Sequence, residues 1–191
     1  MRRICIFCGS KKGKHEVYHN KTRELGRLLV QSGIGLVYGG GGIGLMGILA
    51  DEILQGGGKV TGVIPRFLSE KELGHANVDE LILVDTMHQR KQKMAELADG
   101  FIALPGGYGT LEEFCEILTW NQLQLLNKPV GVLNINGYFN HLLALADQMV
   151  AEGFLNQRNR DLLIEADTPD VLLKIFKAYH VDGPQGDLDI T

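Results

Sequence analysis

Residues 101–113 read Phe-Ile-Ala-Leu-Pro-Gly-Gly-Tyr-Gly-Thr-Leu-Glu-Glu, and this stretch decides the fold class. Phe101–Leu104 is a continuous apolar run, which is typical of a parallel strand that is buried on both faces. Glycines then turn the chain and a helix begins at Thr110, so the stretch is one strand–turn–helix unit. Thr110 and Glu113 also match a T-x-x-E capping box, so helix capping explains this pattern as well as a ligand site does.

The same alternation recurs along the chain. Further strands are predicted at 3–8, 35–38, 59–64, 81–84, 130–133 and 162–165. Helices are predicted at 16–31, 45–54, 87–97, 111–125, 138–152 and 169–179, with an irregular segment at 65–79. These repeated units predict an α/β fold, a single doubly wound Rossmann-like domain whose parallel sheet carries helices on both faces. We expect residues 1–180 to form that domain and residues 181–191 to form a flexible C-terminal tail.

Composition limits the class of protein. The 191 residues carry 19 Lys and Arg against 23 Asp and Glu, and this net charge of −4 argues against nucleic-acid or membrane binding. Local basic clusters remain at Lys11–Lys14 and Arg90–Lys93. No run approaches the roughly 20 apolar residues that cross a bilayer, and the N-terminal apolar run is too short for a signal peptide. Three cysteines, with Cys5 and Cys8 inside a predicted strand, indicate buried reduced thiols and a cytoplasmic protein.

The glycines are the main excess, and they form two clusters after predicted strands. The 25 glycines in 191 residues are about twice the usual share of about 7%. In the first cluster, Gly42, Gly44 and Gly47 match G-x-G-x-x-G between a strand and a helix. An NAD(P) site also needs an acidic residue at the end of the next strand, and residues 63–66 contain none. We therefore expect a turn that admits a phosphate or ribose against bare backbone, with close structural packing as the alternative.

The second cluster is the loop of the opening stretch, and it is a candidate anion site. The N–H groups and the positive end of the following helix favour a negative ligand. A Walker A loop would need G-K-[ST], and the loop contains no lysine, so ATP hydrolysis of that kind is not expected.

A basic helix start precedes that loop. Thr86 and Gln89 match a capping box, and Arg90 and Lys91 then follow in the first turn of the helix. Cations are disfavoured there by the helix dipole, so this departure from a local rule indicates a functional site. A solvated basic face is the alternative.

Two motifs together resemble the Lonely Guy (LOG) family, whose members were earlier labelled lysine decarboxylases. They are P-G-G-x-G-T-x-x-E at Pro105–Glu113 and M-H-x-R-K at Met87–Lys91. The resemblance extends to about Tyr179 and includes Cys8-Gly9-Ser10, Tyr38–Gly47, Lys71-Glu72-Leu73, Trp120-x-Gln122-Leu123 and Lys128–Gly131. One stretch departs from the family pattern, because Gln124-Leu125-Leu126 stands where the family has glycine, an apolar residue and histidine.

The resemblance implies a phosphoribohydrolase, which cleaves the N-glycosidic bond of a nucleoside 5′-monophosphate to free base and ribose 5-phosphate. Cytokinin riboside monophosphates and AMP are the implied substrates, and a homodimer with the site near its interface is the implied assembly. By motif position, the implied catalytic residues are Arg90 and Glu113. The implied substrate-binding residues are Ser10, Gly41, Gly42, Glu72, Lys91, Gly106, Gly107, Tyr108, Gly109, Thr110, Glu112 and Thr119.

The residue types suit that chemistry. Cleavage of a ribosyl C–N bond passes through an oxocarbenium-like state, which the Glu113 carboxylate can stabilise while it orients or deprotonates water. Arg90 can clamp the phosphate or ribose, or lower the pKa of Glu113 and keep it ionised. The scheme requires no metal and no organic cofactor.

Two other functions remain as alternatives. A lysine decarboxylase would hold pyridoxal phosphate on a lysine Schiff base, and no sequence feature singles out such a lysine. A non-catalytic Rossmann-like carrier that binds a nucleotide or cofactor is the second alternative, and such a carrier would not need the Arg90 and Glu113 pair.

Overall fold

The computed structural model describes residues 1–69, 74–75 and 77–179. Its first half contains β1 (Arg3–Phe7), α1 (Glu16–Gln31), β2 (Gly35–Tyr38), α2 (Gly44–Gln55), β3 (Val60–Pro65), α3 (Arg66–Ser69), β4 (Glu80–Val84) and α4 (Met87–Leu97). Its second half contains β5 (Phe101–Ala103), α5 (Tyr108–Gln122), β6 (Val130–Leu133), a 3₁₀ turn (Ile135–Gly137), α6 (Asn140–Ala151), α7 (Gln157–Arg160), β7 (Leu163–Ala166) and α8 (Pro169–Ala178). The predicted tail at 181–191 lies outside the described residues, as does Glu72.

The strands form one parallel sheet in the order β4-β3-β2-β1-β5-β6-β7. The chain runs from β1 outward to β4 and then returns to the other side of β1, so β1 and β5 flank a topological switch point. In that pair Cys5 lies beside Phe101 and Phe7 beside Ala103. The predicted doubly wound fold is confirmed, and its ligand crevice is expected beyond the carboxyl ends of β1 and β5.

Helices cover both faces of the sheet because successive strand residues point to opposite sides. Ile4 and Ile6 of β1 belong to the core on the side of α1, α2 and α8. Cys5 and Phe7 belong to the opposite core, which α4, α5 and α6 cover. Burying a large apolar side chain stabilises a fold by about 1.5–3 kcal/mol, and both cores contain many such residues. None of the helices in the described ranges has the length and apolar composition that crossing a bilayer requires.

Most predicted bounds agree with the structure, and the start of α5 is the important exception. The helix begins at Tyr108 with Gly107 as its N-cap, so Thr110 lies inside the first turn. The alternative interpretation, in which Thr110 and Glu113 form a capping box, is therefore wrong. The box predicted at Thr86 is formed, because its hydroxyl accepts a hydrogen bond from the Gln89 N–H at 3.1 Å and the Gln89 side chain bonds back to Thr86 N at 3.3 Å.

Two short helices, α3 and α7, were not predicted. The helix predicted from residue 138 begins at Asn140, since a 3₁₀ turn with Asn136 in the left-handed region (φ 54°) precedes it. Neither difference changes the carboxyl ends of β1 and β5, where the ligand crevice is expected.

Candidate active site

The loops that follow β1 and β5 lie directly against each other. The Gly9 N–H donates to the Pro105 carbonyl at 3.1 Å. A Cβ on Gly106 would stand 2.0 Å from Thr110 Oγ1 and 3.0 Å from Gly9 N, so only glycine fits there. The second glycine cluster thus allows two strand ends and a helix start to meet at the switch point.

The helix α5 begins at this meeting point without a side-chain cap. Gly107 occupies the N-cap position and has no side chain to supply a hydrogen bond. The first N–H groups of an α-helix have no partner within the helix, and its N-terminus carries a partial positive charge. Gly107, Tyr108, Gly109 and Thr110 therefore present donors that suit a phosphate.

A cavity of about 300 Å³, which we call the site cavity, opens beside this helix start. The predicted site residues that line it are Ser10, Arg90, Gly107, Tyr108, Gly109, Thr110, Glu112 and Glu113. The lining also includes Cys8, Gly39, Met46 and Met87, which the sequence analysis placed in family motifs but did not assign to the site. Their signal in the sequence was weak, although Cys8 ends one predicted strand and Gly39 directly follows another, at the edge of the sheet where ligands bind.

Arg90 and Glu113 face each other in the site cavity. Arg90 Nη2 lies 3.6 Å from Glu113 Oε1, and the two side chains are 9% and 11% exposed. Arg90 Nη2 also donates to the Gly39 carbonyl at 3.4 Å. Arg90 Nε is buried and has no partner among the described residues. A buried donor without a partner is costly, so the guanidinium is suited to binding an acceptor from a ligand.

Burial controls the acidity of Glu113. Desolvation raises the pKa of Glu113 above its ordinary value, and this effect outweighs the lowering by Arg90. Arg90 lowers the pKa of Glu113 as expected, but burial outweighs it and the net pKa is raised. A carboxyl group with a raised pKa is a stronger base once it is ionised, which suits it to deprotonating water.

Lys91 clamps two helices together. Lys91 Nζ lies 2.5 Å from Glu112 Oε1 and 3.0 Å from Glu116 Oε1, and its side chain is largely buried. Burial lowers the pKa of Lys91, but the hydrogen bonds to the two carboxylates reverse this effect and the net pKa is raised. The ammonium therefore stays charged and joins α4 to α5. Lys91 adjoins Arg90 in the sequence, and its partner Glu112 adjoins Glu113.

The remaining predicted residues lie outside the site cavity. Thr119 is on the exposed face of α5, where its hydroxyl donates to the Cys115 carbonyl at 2.8 Å. Gly41 forms an isolated antiparallel bridge with Gly74. The Gly42 carbonyl packs against the start of α2, where a Cβ on Gly47 would stand 2.4 Å from its oxygen. Gly106 lines a neighbouring cavity. The substrate contacts assigned to these four predicted positions, and to Glu72, stay predictions.

Comparisons with known proteins identify the relatives of this chain. Residues 46–176 match a family model described as "Possible lysine decarboxylase". The cytokinin riboside 5′-monophosphate phosphoribohydrolase LOG4 of Arabidopsis thaliana is 50% identical over 93% of this chain and 82% of its own length. The probable cytokinin riboside 5′-monophosphate phosphoribohydrolase LOGL1 of Oryza sativa subsp. japonica is 49% identical over 93% of this chain and 79% of its own.

A solved structure supports the fold. The molybdenum cofactor carrier protein of Chlamydomonas reinhardtii superposes with a TM-score of 0.68 over 93% of this chain and 99% of its own. The two sequences are 21% identical, so this similarity concerns the fold alone.

Proposed function

This chain belongs to the Lonely Guy (LOG) family, and we propose on that premise that it is a phosphoribohydrolase. Its substrates are cytokinin riboside 5′-monophosphates, with AMP as a further substrate, and its products are the free base and ribose 5-phosphate. The observation that supports this most directly is the buried Arg90 and Glu113 pair, 3.6 Å apart, beside the uncapped start of α5.

The helix start would hold the substrate by its 5′-phosphate. Donors at Gly107–Thr110 and the positive helix end supply binding energy remote from the bond that breaks. That anchor places the ribose over the site cavity, which Arg90 and Glu113 line. A nucleoside without the 5′-phosphate loses this anchor and reacts slowly.

Hydrolysis then needs a general base and a nucleophilic water molecule. The Glu113 carboxylate accepts a proton from water as the water oxygen bonds to C1′. The C1′–N bond breaks and its electron pair goes to the leaving nucleobase, which takes up the proton from Glu113, so that the carboxylate is regenerated. The positive charge that develops on the ribose is stabilised by the same carboxylate, as in glycoside hydrolysis.

Arg90 would act on the substrate and on Glu113 together. Its Nη2 lies near Glu113 Oε1, while its buried Nε has no partner among the described residues. An oxygen of the ribose or the phosphate can accept from this nitrogen, which fixes the sugar relative to Glu113.

The chemistry of a decarboxylase fits the site poorly. A pyridoxal Schiff base needs a lysine that can lose its proton, yet the two carboxylates on Lys91 raise its pKa. Incubation with lysine and pyridoxal phosphate should therefore give no cadaverine above background. Glu113 argues against a carrier, because binding a nucleotide does not by itself require a buried carboxylate beside the ligand.

The test is chromatographic analysis of products from cytokinin riboside monophosphate, AMP and adenosine. We expect release of free base from the two monophosphates and little from adenosine. Glu113→Gln and Arg90→Ala should each lower the rate by about 100-fold or more. The exposed Glu152→Gln and Arg158→Ala variants are matched controls that should keep full rate. Tight nucleotide binding with no base release would instead support a carrier.

We also propose a homodimer in the cytoplasm. The carboxyl-terminal part of α5 exposes Thr119, and the loop after it exposes Leu125 to 68%, so an apolar surface lies close to a predicted substrate contact. The free thiols of Cys5, Cys8 and Cys115 suit a reducing compartment. Sedimentation velocity would test the assembly, and a monomer at micromolar concentration would contradict it.

A further inference from the structure

The peptide bond between Gly106 and Gly107 lies where two cavities meet. Gly106 and Tyr138 both line a cavity of about 360 Å³, and neither of them lines the site cavity. Gly107 lines both cavities. This peptide therefore spans the boundary between the two cavities, next to the start of α5.

The Tyr138 hydroxyl sets the direction of this peptide. It donates to the Gly106 carbonyl oxygen at 2.5 Å. All described peptide bonds are trans, so the Gly107 N–H points away from that oxygen, to the side opposite Tyr138. No described residue accepts a hydrogen bond from the Gly107 N–H, which leaves this donor available to a ligand.

The ring of Tyr138 is held in place by its neighbours. Tyr18 and Phe139 each meet it edge to face, with centroids 6.0 Å and 5.1 Å away. Phe139 is buried in the core that α4, α5 and α6 cover, and its N–H donates to the Asn134 side chain at 2.8 Å. The hydroxyl of Tyr138 is therefore presented to the loop at a constant position.

Two consecutive glycines make the peptide easy to turn over. A flip rotates ψ of Gly106 and φ of Gly107 by about 180° each, which carries φ of Gly107 from −99° to about +80°. Glycine adopts positive φ at little cost, so the local backbone preference does not prevent the flip. The flipped peptide would direct a carbonyl oxygen toward the site cavity, and its partial negative charge would repel an anion there.

We propose that Tyr138 is a positioning residue for the substrate phosphate, because its hydroxyl holds the peptide in the orientation that presents the Gly107 N–H to the 5′-phosphate. The inference rests on the proposed function, which places that phosphate at Gly107–Thr110. Tyr138 does not line the site cavity, so it acts through the peptide alone. Its effect should therefore depend on the phosphate and be absent for a ligand that has none.

The experiment is calorimetric titration of ribose 5-phosphate into the full chain and into Tyr138→Phe, which removes only the hydroxyl. Loss of a hydrogen bond to a charged group should weaken binding by about tenfold. The kcat/KM for AMP should fall by a similar factor, whereas that for adenosine should not change. Tyr18→Phe is the matched control, since it removes a hydroxyl from the adjoining ring that has no hydrogen-bond partner among the described residues.

A substitution in the loop separates peptide orientation from a general loosening. Gly107→Ala adds a Cβ that meets no protein atom within 4 Å, and alanine disfavours the positive φ of the flipped peptide. In that background Tyr138→Phe should weaken the binding of ribose 5-phosphate by less than about threefold, because the flip is already prevented. The comparison holds whatever effect Gly107→Ala has alone.

Several outcomes would overturn the inference. They are an unchanged affinity in Tyr138→Phe, equal losses of rate for AMP and adenosine, or a loss of affinity of the same size in both loop backgrounds. Urea unfolding of each variant establishes that the proteins compared are folded.

Release of free base from AMP by the unsubstituted chain is measured in parallel. Release without a phosphate-dependent effect of Tyr138 contradicts this inference alone. Binding of ribose 5-phosphate that depends on the hydroxyl, without release of base, contradicts the proposed function alone. Failure of ribose 5-phosphate to bind the unsubstituted chain would overturn both.

Discussion

Arg90 Nη2 occupies space that a side chain on residue 39 would need, since a Cβ on Gly39 would stand 2.0 Å from that nitrogen. Gly39 directly follows β2, and its carbonyl accepts the hydrogen bond from the same nitrogen. The first glycine cluster and the basic start of α4 therefore meet at one point, where a missing side chain makes room for the guanidinium.

Gly39→Ala should remove activity while the protein stays folded. The methyl group displaces the end of a flexible arginine, which costs little stability but moves the guanidinium from its place 3.6 Å from Glu113. A misplacement of about 1 Å can cost about 100-fold in rate, and we expect a loss of that order in kcat/KM. Gly35→Ala, at the other end of β2, is the control, because its Cβ would meet nothing closer than 3.5 Å. Full activity of Gly39→Ala would show that the position of Arg90 is not critical.

The rate should depend on the ionisation of Glu113. Burial raises the pKa of this carboxyl above its ordinary value of 4.5, so kcat/KM should fall with decreasing pH through an inflection above 4.5. Glu112 also raises the pKa of Glu113, so Glu112→Gln should move the inflection to lower pH. Rate profiles of the two proteins, measured at equal salt, test this, and coincident inflections would contradict it.

The same raised pKa links stability to pH with a definite sign. The native state holds the Glu113 proton more tightly than the unfolded chain, so the contribution of this group to stability is greatest below its ordinary pKa. That contribution decreases as pH rises through the raised folded pKa. Relative to the unsubstituted protein, Glu113→Gln should therefore gain stability as pH rises from 4 to 7. Urea unfolding across this range measures the difference, and a constant difference would be evidence against a raised pKa.

Lys91 should matter more for stability than its neighbour Lys93. Lys91→Met leaves two carboxylates of α5 without their cation, one of them Glu116, whose Oε2 is already buried without a partner in the described structure. We expect a loss of about 2 kcal/mol in the free energy of unfolding. Lys93→Met removes an exposed pair with Glu96 and should cost less than about 0.5 kcal/mol. Equal losses in the two variants would contradict the role of Lys91 in joining α4 to α5.

The fold was predictable because buried parallel strands leave continuous apolar runs in the sequence. Helix bounds were exact for α1 and α4, and the Thr86 box that begins α4 is visible in the sequence. The start of α5 was missed because its cap is Gly107, which leaves no side-chain signal, whereas Thr110 imitates one.

The site was harder to predict from the sequence than the fold. Arg90 and Glu113 lie on different helices with β5 between them, and no spacing rule brings them together. The family motifs pointed to both residues and also implied a substrate contact for Lys91, which stays a prediction. The structure adds a hydrogen bond from Lys91 to Glu112, 21 residues away, that the sequence did not predict. Contacts across such separations depend on the packing of whole helices.

The departure from the family pattern at Gln124 coincides with backbone strain. Gln124 has φ 58°, in the left-handed region just after α5 ends, and the Leu125 N–H bonds back to the Trp120 carbonyl at 2.9 Å. Residues other than glycine adopt this conformation at a cost of roughly 1–2 kcal/mol, so Gln124→Gly should raise the free energy of unfolding by about 1 kcal/mol. Gln148→Gly, on the exposed face of α6, should lower it by about the same amount, because glycine weakens a helix interior. Urea unfolding of both variants gives the two signs. Destabilisation by Gln124→Gly would mean that side-chain contacts of Gln124 outweigh the relief of its backbone.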